Sequence, residues 1–174
     1  MKKFIYLFLL FFSATQTFAQ PGQAPSPDID YNRRALSRAE YGDYKGAIED
    51  YTQGLAFKPN DVTIFVNRGL AKIELKDVTG ALFDFDMAIA LDSTFVRAIN
   101  CRGILFLDQK RYKEALNDFN KALILHPDYA TALINRGIAR RELNDSIGAC
   151  NDWNLASTYG KKRANEYIQR YCNK

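Results

Sequence analysis

Few residues in this 174-residue chain are equipped for covalent or acid–base chemistry, and their spacing argues against it. A nucleophile needs a base within hydrogen-bond reach. The single histidine, His126, sits beside Pro127 in an expected turn with no Cys or Ser motif near it, and reads as an exposed turn residue. Carboxylates such as Asp84 with Asp86, or Glu49 with Asp50, point apart on a helix, so no shared proton is implied. Three cysteines and one histidine give no CxxC or HxxxH spacing, which excludes a four-ligand zinc site of the usual kind within one chain. No phosphate-cradling glycine loop follows a strand, because no strand is expected. The chain reads as a non-enzyme, with no metal and no cofactor.

Composition bounds the partners. With 47% hydrophobic and 25% charged residues of both signs, the sequence is that of a folding chain. Its 24 basic and 20 acidic residues give a formal charge of +4, and no run of five like charges occurs. A phosphate-binding surface needs a concentrated basic stripe, so nucleic acid is not an expected partner.

The beginning reads as an address. Met1-Lys2-Lys3 is positive, Phe4 to Phe12 is apolar, and Ser13 to Ala19 offers small residues for cleavage before Gln20. The apolar run is shorter than the roughly 20 residues a bilayer core needs, so a signal peptide over 1–19 is expected, not a membrane span. Removing it takes away two lysines and leaves a charge of +2. The mature chain would be secreted or periplasmic. Residues 20–27 (QPGQAPSP) carry three of the five prolines and read as an extended leader.

What remains repeats with a period of 34 residues. Arg34, Arg68, Arg102 and Arg136 coincide, as do Asp50, Asp84, Asp118 and Asp152. Small residues follow the arginines (Ala35, Gly69, Gly103, Gly137), another row is Ala47, Ala81, Ala115 and Ala149, and an aromatic row is Tyr51, Phe85, Phe119 and Trp153. Four units fit, 28–61, 62–95, 96–129 and 130–163. Apolar spacing of three and four, as in Ala115, Phe119, Ala122 and Leu123, places two helices in each unit. They break near Gly42, Lys76, Lys110 and Asn144, and proline or a short polar residue ends the second helix. One such pair cannot hide both faces, so neighbours must stack into a superhelical array.

These residues resemble the tetratricopeptide repeat over 28–163. A small residue at the eighth place of a unit, Ala at the twentieth, an aromatic at the twenty-fourth, Ala at the twenty-seventh and Pro at the thirty-second are matched by Gly103, Ala115, Phe119, Ala122 and Pro127. Ala35 stands for the usual Gly, Gly54 for Ala, Ser93 and Lys161 for Pro, and arginine occupies a place the family usually gives to Leu. The resemblance implies an all-α, right-handed array of antiparallel helix pairs, with 164–174 as a capping helix and tail that turns Ala164, Tyr167, Ile168 and Tyr171 to one side.

The resemblance also places a concave groove on the first helices. Its apolar row would be Leu36, Leu70, Ile104 and Ile138, joined by Ile73 and Leu107, beside an acidic row of Glu40, Glu74, Asp108 and Glu142. Asn32, Asn67, Asn100 and Asn135 would offer amides to the backbone of an extended peptide. The expected ligand has apolar side chains and at least one Lys or Arg; the alternative is that the acidic row is only a solvated face. Chaperone-binding members grip a terminal carboxylate through a clamp of Lys, Asn and Arg. Here Asn67 and Arg97 match, but Leu36 and Cys101 replace an Asn and a basic residue, so no clamp is expected.

The arginine and aspartate rows lie on different helices among packing positions, which implies structural ion pairs, within a unit or between units; the alternative is an anion site. Cys150 and Cys172 would be neighbours, so either a disulfide joins them, leaving Cys101 over, or all stay thiols. Two functions compete. One is an adaptor outside the cytoplasm that binds a peptide or partner segment in the groove. The other is a scaffold component of an envelope assembly, associating through its ends or convex face. A membrane-surface role for Lys161, Lys162 and Arg163 is a weaker third.

Overall fold

The computed structural model describes residues 30–172, so the expected signal peptide and leader lie outside the described residues. The described chain is helical without strands, in nine helices: α1 (Tyr31–Glu40), α2 (Tyr44–Phe57), α3 (Val62–Glu74), α4 (Val78–Leu91), α5 (Val96–Asp108), α6 (Tyr112–Leu125), α7 (Ala130–Glu142), α8 (Ser146–Thr158) and α9 (Arg163–Tyr171). Each odd helix packs on the even helix that follows, and each even helix on the next odd one. Four helix pairs therefore stack side by side into a right-handed array closed by α9.

A three-residue turn joins the helices of a pair. Its central residue, Gly42, Lys76, Lys110 or Asn144, has a φ between 60° and 80°. Around it the chain closes two backbone bonds. In the first pair the Gly42 amide donates to the Ala39 carbonyl and the Asp43 amide to the Arg38 carbonyl, and the other three turns repeat both bonds. That arrangement satisfies carbonyls the helix end would otherwise leave orphaned. Three turns then start the next helix with the same device, an aspartate (Asp43, Asp77, Asp145) accepting from the amide of a glycine three residues on (Gly46, Gly80, Gly148). A Cβ on any of those glycines would run into the capping carboxylate. The third pair departs from this at both ends: Arg111 replaces the aspartate, Glu114 replaces the glycine, and an ion pair of 2.9 Å joins them.

Close approach within a pair depends on the small residues of the first helix. A Cβ on Gly69 would stand 2.7 Å from the Phe85 ring, and one on Gly103 2.7 Å from the Phe119 ring. Gly137 meets Trp153 in the same way. Tyr51, Phe85, Phe119 and Trp153 are all at most 1% exposed, and the alanine row beside them is fully buried. These rings and alanines form the core through which the pairs stack.

The four arginines and four aspartates pair within their own units. Each guanidinium grips its aspartate with both Nε and a terminal nitrogen, as Arg68 does on Asp84 at 3.0 and 2.7 Å. Arg34–Asp50, Arg102–Asp118 and Arg136–Asp152 repeat the fork. The remaining nitrogen reaches back to the preceding pair: Arg68 to Thr52, Arg102 to Asp86, Arg136 to Asn120. One side chain thus fastens its own two helices and the joint with the previous pair. Both carboxylates on Arg102 raise its pKa further, hydrogen bonding to Asp118 being the largest cause. In three units a second cation joins the aspartate, Arg38 at 3.3 Å, Lys72 at 2.8 Å and Arg140 at 2.9 Å. The equivalent place in the third unit is Phe106, and Asp118 has Arg102 alone.

At the carboxyl end α9 covers α8. Trp153 stacks on Tyr167 at 5.1 Å and contacts Tyr171 at 5.7 Å, while Arg141 lies 4.0 Å over the Tyr171 ring. A disulfide joins Cys150 on α8 to Cys172 just past α9.

Asp84→Ala, which strands Arg68 and Lys72 at a fully buried site, is expected to lower the unfolding free energy by about 3–5 kcal/mol in urea denaturation; an unchanged midpoint would show that these charges are not paired in solution.

Candidate functional site

The odd helices lie next to one another along one face of the array, α1 against α3, α3 against α5 and α5 against α7. Leu36 is 41% exposed there, and Leu70, Ile73, Ile104, Leu107 and Ile138 are half-buried, so an apolar strip remains open to solvent. At its edge Glu40, Glu74, Asp108 and Glu142 are exposed. Glu142 pairs with Arg141 at 2.7 Å. The other three have no ion pair among the described residues, which leaves three uncompensated carboxylates along one margin.

The asparagines do not form one open row. Asn32 and Asn100 occupy the fifth place of their units, Asn67 and Asn135 the sixth, and a step of one residue turns about 100° around a helix of 3.6 residues per turn. The fifth place faces the neighbouring first helix, where Val66 and Ile134 are 0% and 5% exposed. Asn100 is accordingly buried, and its Oδ1 has no hydrogen-bond partner among the described residues. Asn67 is buried too and donates across to Asn32 Oδ1 at 3.5 Å, while Asn135 stays half-buried. The expectation of four amides on an open wall is corrected to two half-buried ones, Asn32 and Asn135, with Asn67 and Asn100 beneath the surface.

Arg97 is exposed on α5 and makes no ion pair among the described residues. Its charge reaches Cys101, Tyr129 and Tyr51, opposing the upward push that burial gives each of those groups. Burial dominates at Cys101, whose thiol is raised and stays protonated at neutral pH, the opposite of an activated nucleophile. Among the described residues no cluster of His, Cys, Asp or Glu could hold a metal, and no helix is long and apolar enough to cross a membrane. His126 is exposed just past the end of α6.

Two features escaped sequence reasoning. The orphaned carbonyl of Asn100 depends on which way the fifth place faces, which spacing alone left undecided. The combined change at Phe106, Arg111 and Glu114 is the other: each residue breaks a row that the other three units keep, a signal the sequence analysis did not use, and only the bonds between those places tie them together.

The family model for the tetratricopeptide repeat matches residues 96–129, the unit of α5 and α6. The first tetratricopeptide domain of Spaghetti (RPAP3), solved bound to the HSP90 peptide SRMEEVD, superposes with a TM-score of 0.63 at 25% identity, over 66% of this chain and 90% of that one. Residues 96–129 match the tetratricopeptide repeat, and the described chain has the tetratricopeptide-repeat fold. The Arabidopsis OM64 domain of the same type matches at 28% identity with a TM-score of 0.61, covering 64% of this chain and 92% of that one. A crystal structure of MamA shares the fold at 21% identity, TM-score 0.69, over 77% of this chain and 74% of that one. No curated protein matches the chain. The tetratricopeptide-repeat fold is that of a protein–protein interaction module.

Thiol titration without reductant is expected to count one thiol in denaturant, that of Cys101, and three after reduction; three before reduction would show that the Cys150–Cys172 bond is absent in solution.

Proposed function

We propose that this tetratricopeptide-repeat protein is a non-catalytic adaptor outside the cytoplasm whose concave groove binds an extended peptide or partner segment. The observation that carries the reading is the trio Glu40, Glu74 and Asp108, exposed and unpaired beside the open strip of Leu36, Leu70 and Ile104. Apolar ligand side chains would lie on the strip, and a Lys or Arg of the ligand would meet the acidic margin. The Spaghetti domain was solved with a peptide rich in carboxylates. This groove keeps only Asn67 and Arg97 of a carboxylate clamp, Asn67 is buried, and its acidic margin disfavours such a ligand. The sequence of residues 1–19 and the disulfide at the carboxyl end both support an oxidising compartment beyond the cytoplasm.

A second reading has its own support. Ile124 and Ile147 are each 80% exposed and Phe83 58% exposed on the even helices, on the outer side of the array. Apolar side chains left in water there suit a scaffold that associates through its convex face.

An array of blocked peptides, in which leucines alternate with either lysine or glutamate, separates the two readings. The lysine series is expected to bind and the glutamate series not to. Glu74→Lys with Asp108→Lys should weaken binding by about tenfold, roughly 1.4 kcal/mol, with unchanged helical circular dichroism. Leu70→Asp with Ile104→Asp should abolish it. Equal binding of both series, or no effect of either double variant, would remove the groove from the function and favour the convex face.

A further inference from the structure

The third unit is the one place where the repeat lacks a charge it carries everywhere else. Asp50, Asp84 and Asp152 each lie against two cations, the forked arginine of the seventh place and a second basic residue four positions on. Asp118 keeps the fork from Arg102, at 2.8 Å to Oδ2 and 2.7 Å to Oδ1, but Phe106 stands where Arg38, Lys72 and Arg140 stand in the other units. The missing bond is the one those residues make to the Oδ2 atom that also holds the fork's Nε, as Lys72 does on Asp84. Asp118 Oδ2 therefore has one fewer cation than the same atom in the other three units. Its side chain is 7% exposed, against 3%, 0% and 3% for the other three.

The place is not filled by the protein. Asp118 lines a cavity of about 370 Å³ between α4, α5 and α6, with Asp86, Arg102, Phe106, Arg111 and Glu114 around it. Arg111 could have supplied the second charge, but its guanidinium is turned away, stacked 4.2 Å over the Phe106 ring and paired with Glu114 at 2.9 Å. The cavity wall thus holds three carboxylates and two guanidinium groups, a surplus of one negative charge. Asp86 and Glu114 are half exposed at the mouth, where they would attract a cation before it reaches the floor. Leu82 and Phe106 provide apolar wall against which an aliphatic stem can lie.

We propose that this cavity receives one basic side chain, a lysine or arginine, from a partner protein. The incoming cation takes the place against Asp118 that the chain's own residue takes in the other units. The seventh and eleventh places, which carry Arg102 and Phe106, are not groove places, so the site is separate from the concave strip and stands or falls without it. It opens between α4 and α6 beside α5, so a segment crossing α4 and α6 can insert one residue while its neighbours stay outside.

The test uses the full mature chain, isotopically labelled, and three blocked tripeptides, Ac-Gly-Lys-Gly-NH2, Ac-Gly-Arg-Gly-NH2 and the norleucine equivalent, with putrescine as a free diamine. Lysine and arginine peptides are expected to shift the amide resonances around Phe106, Arg111 and Asp118 at millimolar concentration, with the norleucine peptide at least tenfold weaker. Phe106→Lys, which rebuilds the pattern of the second unit, should fold with an equal or higher Tm and lose the binding at least tenfold. Equal binding of norleucine, unchanged binding by Phe106→Lys, or shifts confined to Glu74 and Asp108 would overturn the proposal. Putrescine binding more tightly than both peptides would overturn the protein source of the cation. An unfolded Phe106→Lys is replaced by Glu114→Gln with Asp86→Asn, which neutralises the mouth and should weaken the peptides about tenfold; unchanged binding would count against the site.

Discussion

Everything in this array rests on how near two helices of a pair can come. Where the first helix carries Gly69, Gly103 or Gly137, the ring of the second lies against bare backbone, and there is no room for even one methyl group. That contact sets the separation at which an arginine from one helix reaches an aspartate on the other with both ends of its fork. The same separation leaves the third guanidinium nitrogen free to reach the previous pair. Ring packing is non-directional, whereas a charged fork tolerates little displacement, so the rings bring the helices together and the forks fix how they sit. A buried fork is weak support for net stability, but it is costly to break, which makes it suited to fixing geometry.

The sequence made the helices and their stacking legible because both are periodic. Rows of Arg, Asp, Ala and aromatic residues recur at one spacing, and each recurrence repeats the same packing constraint. What the rows could not say is where a side chain points across a joint. The fork was expected from its flanking residues, yet its choice of partner, its own aspartate or the next unit's, depends on distances between helices. Asn100 shows the same limit more sharply. One place in sequence separates it from Asn135's register, and that step moves its amide from the groove margin to the contact with a neighbouring helix, where Val66 and Ile134 show that apolar residues are the rule. Phe106, Arg111 and Glu114 stand in rows the sequence analysis did not trace, and the bonds of the other units show that a cap, a glycine and a second cation belong to one local arrangement.

The two faces of the array are charged by different logic. On the inner face, Glu40, Glu74 and Asp108 stand in water without an ion pair among the described residues, next to open leucine and isoleucine. Between the helices of each pair, every aspartate of the buried row is answered by a guanidinium, and the one with a single cation, Asp118, opens onto a cavity. Placing unpaired charge beside apolar surface leaves it available to another molecule, while pairing it internally commits it to the fold.

The covalent link between Cys150 and Cys172 sits at one extremity only. In a linear stack whose members touch only their neighbours, loss of order spreads inward from whichever terminus is less tied. The last pair is stitched to its cover by a bond that thermal motion does not open, whereas among the described residues no helix covers the first pair in this way, and Leu36 on α1 and Phe57 at the end of α2 are 41% and 42% exposed. Unravelling within the nine described helices therefore has a direction: amide exchange should slow progressively from α1 towards α8, and the array will loosen first at its α1 end.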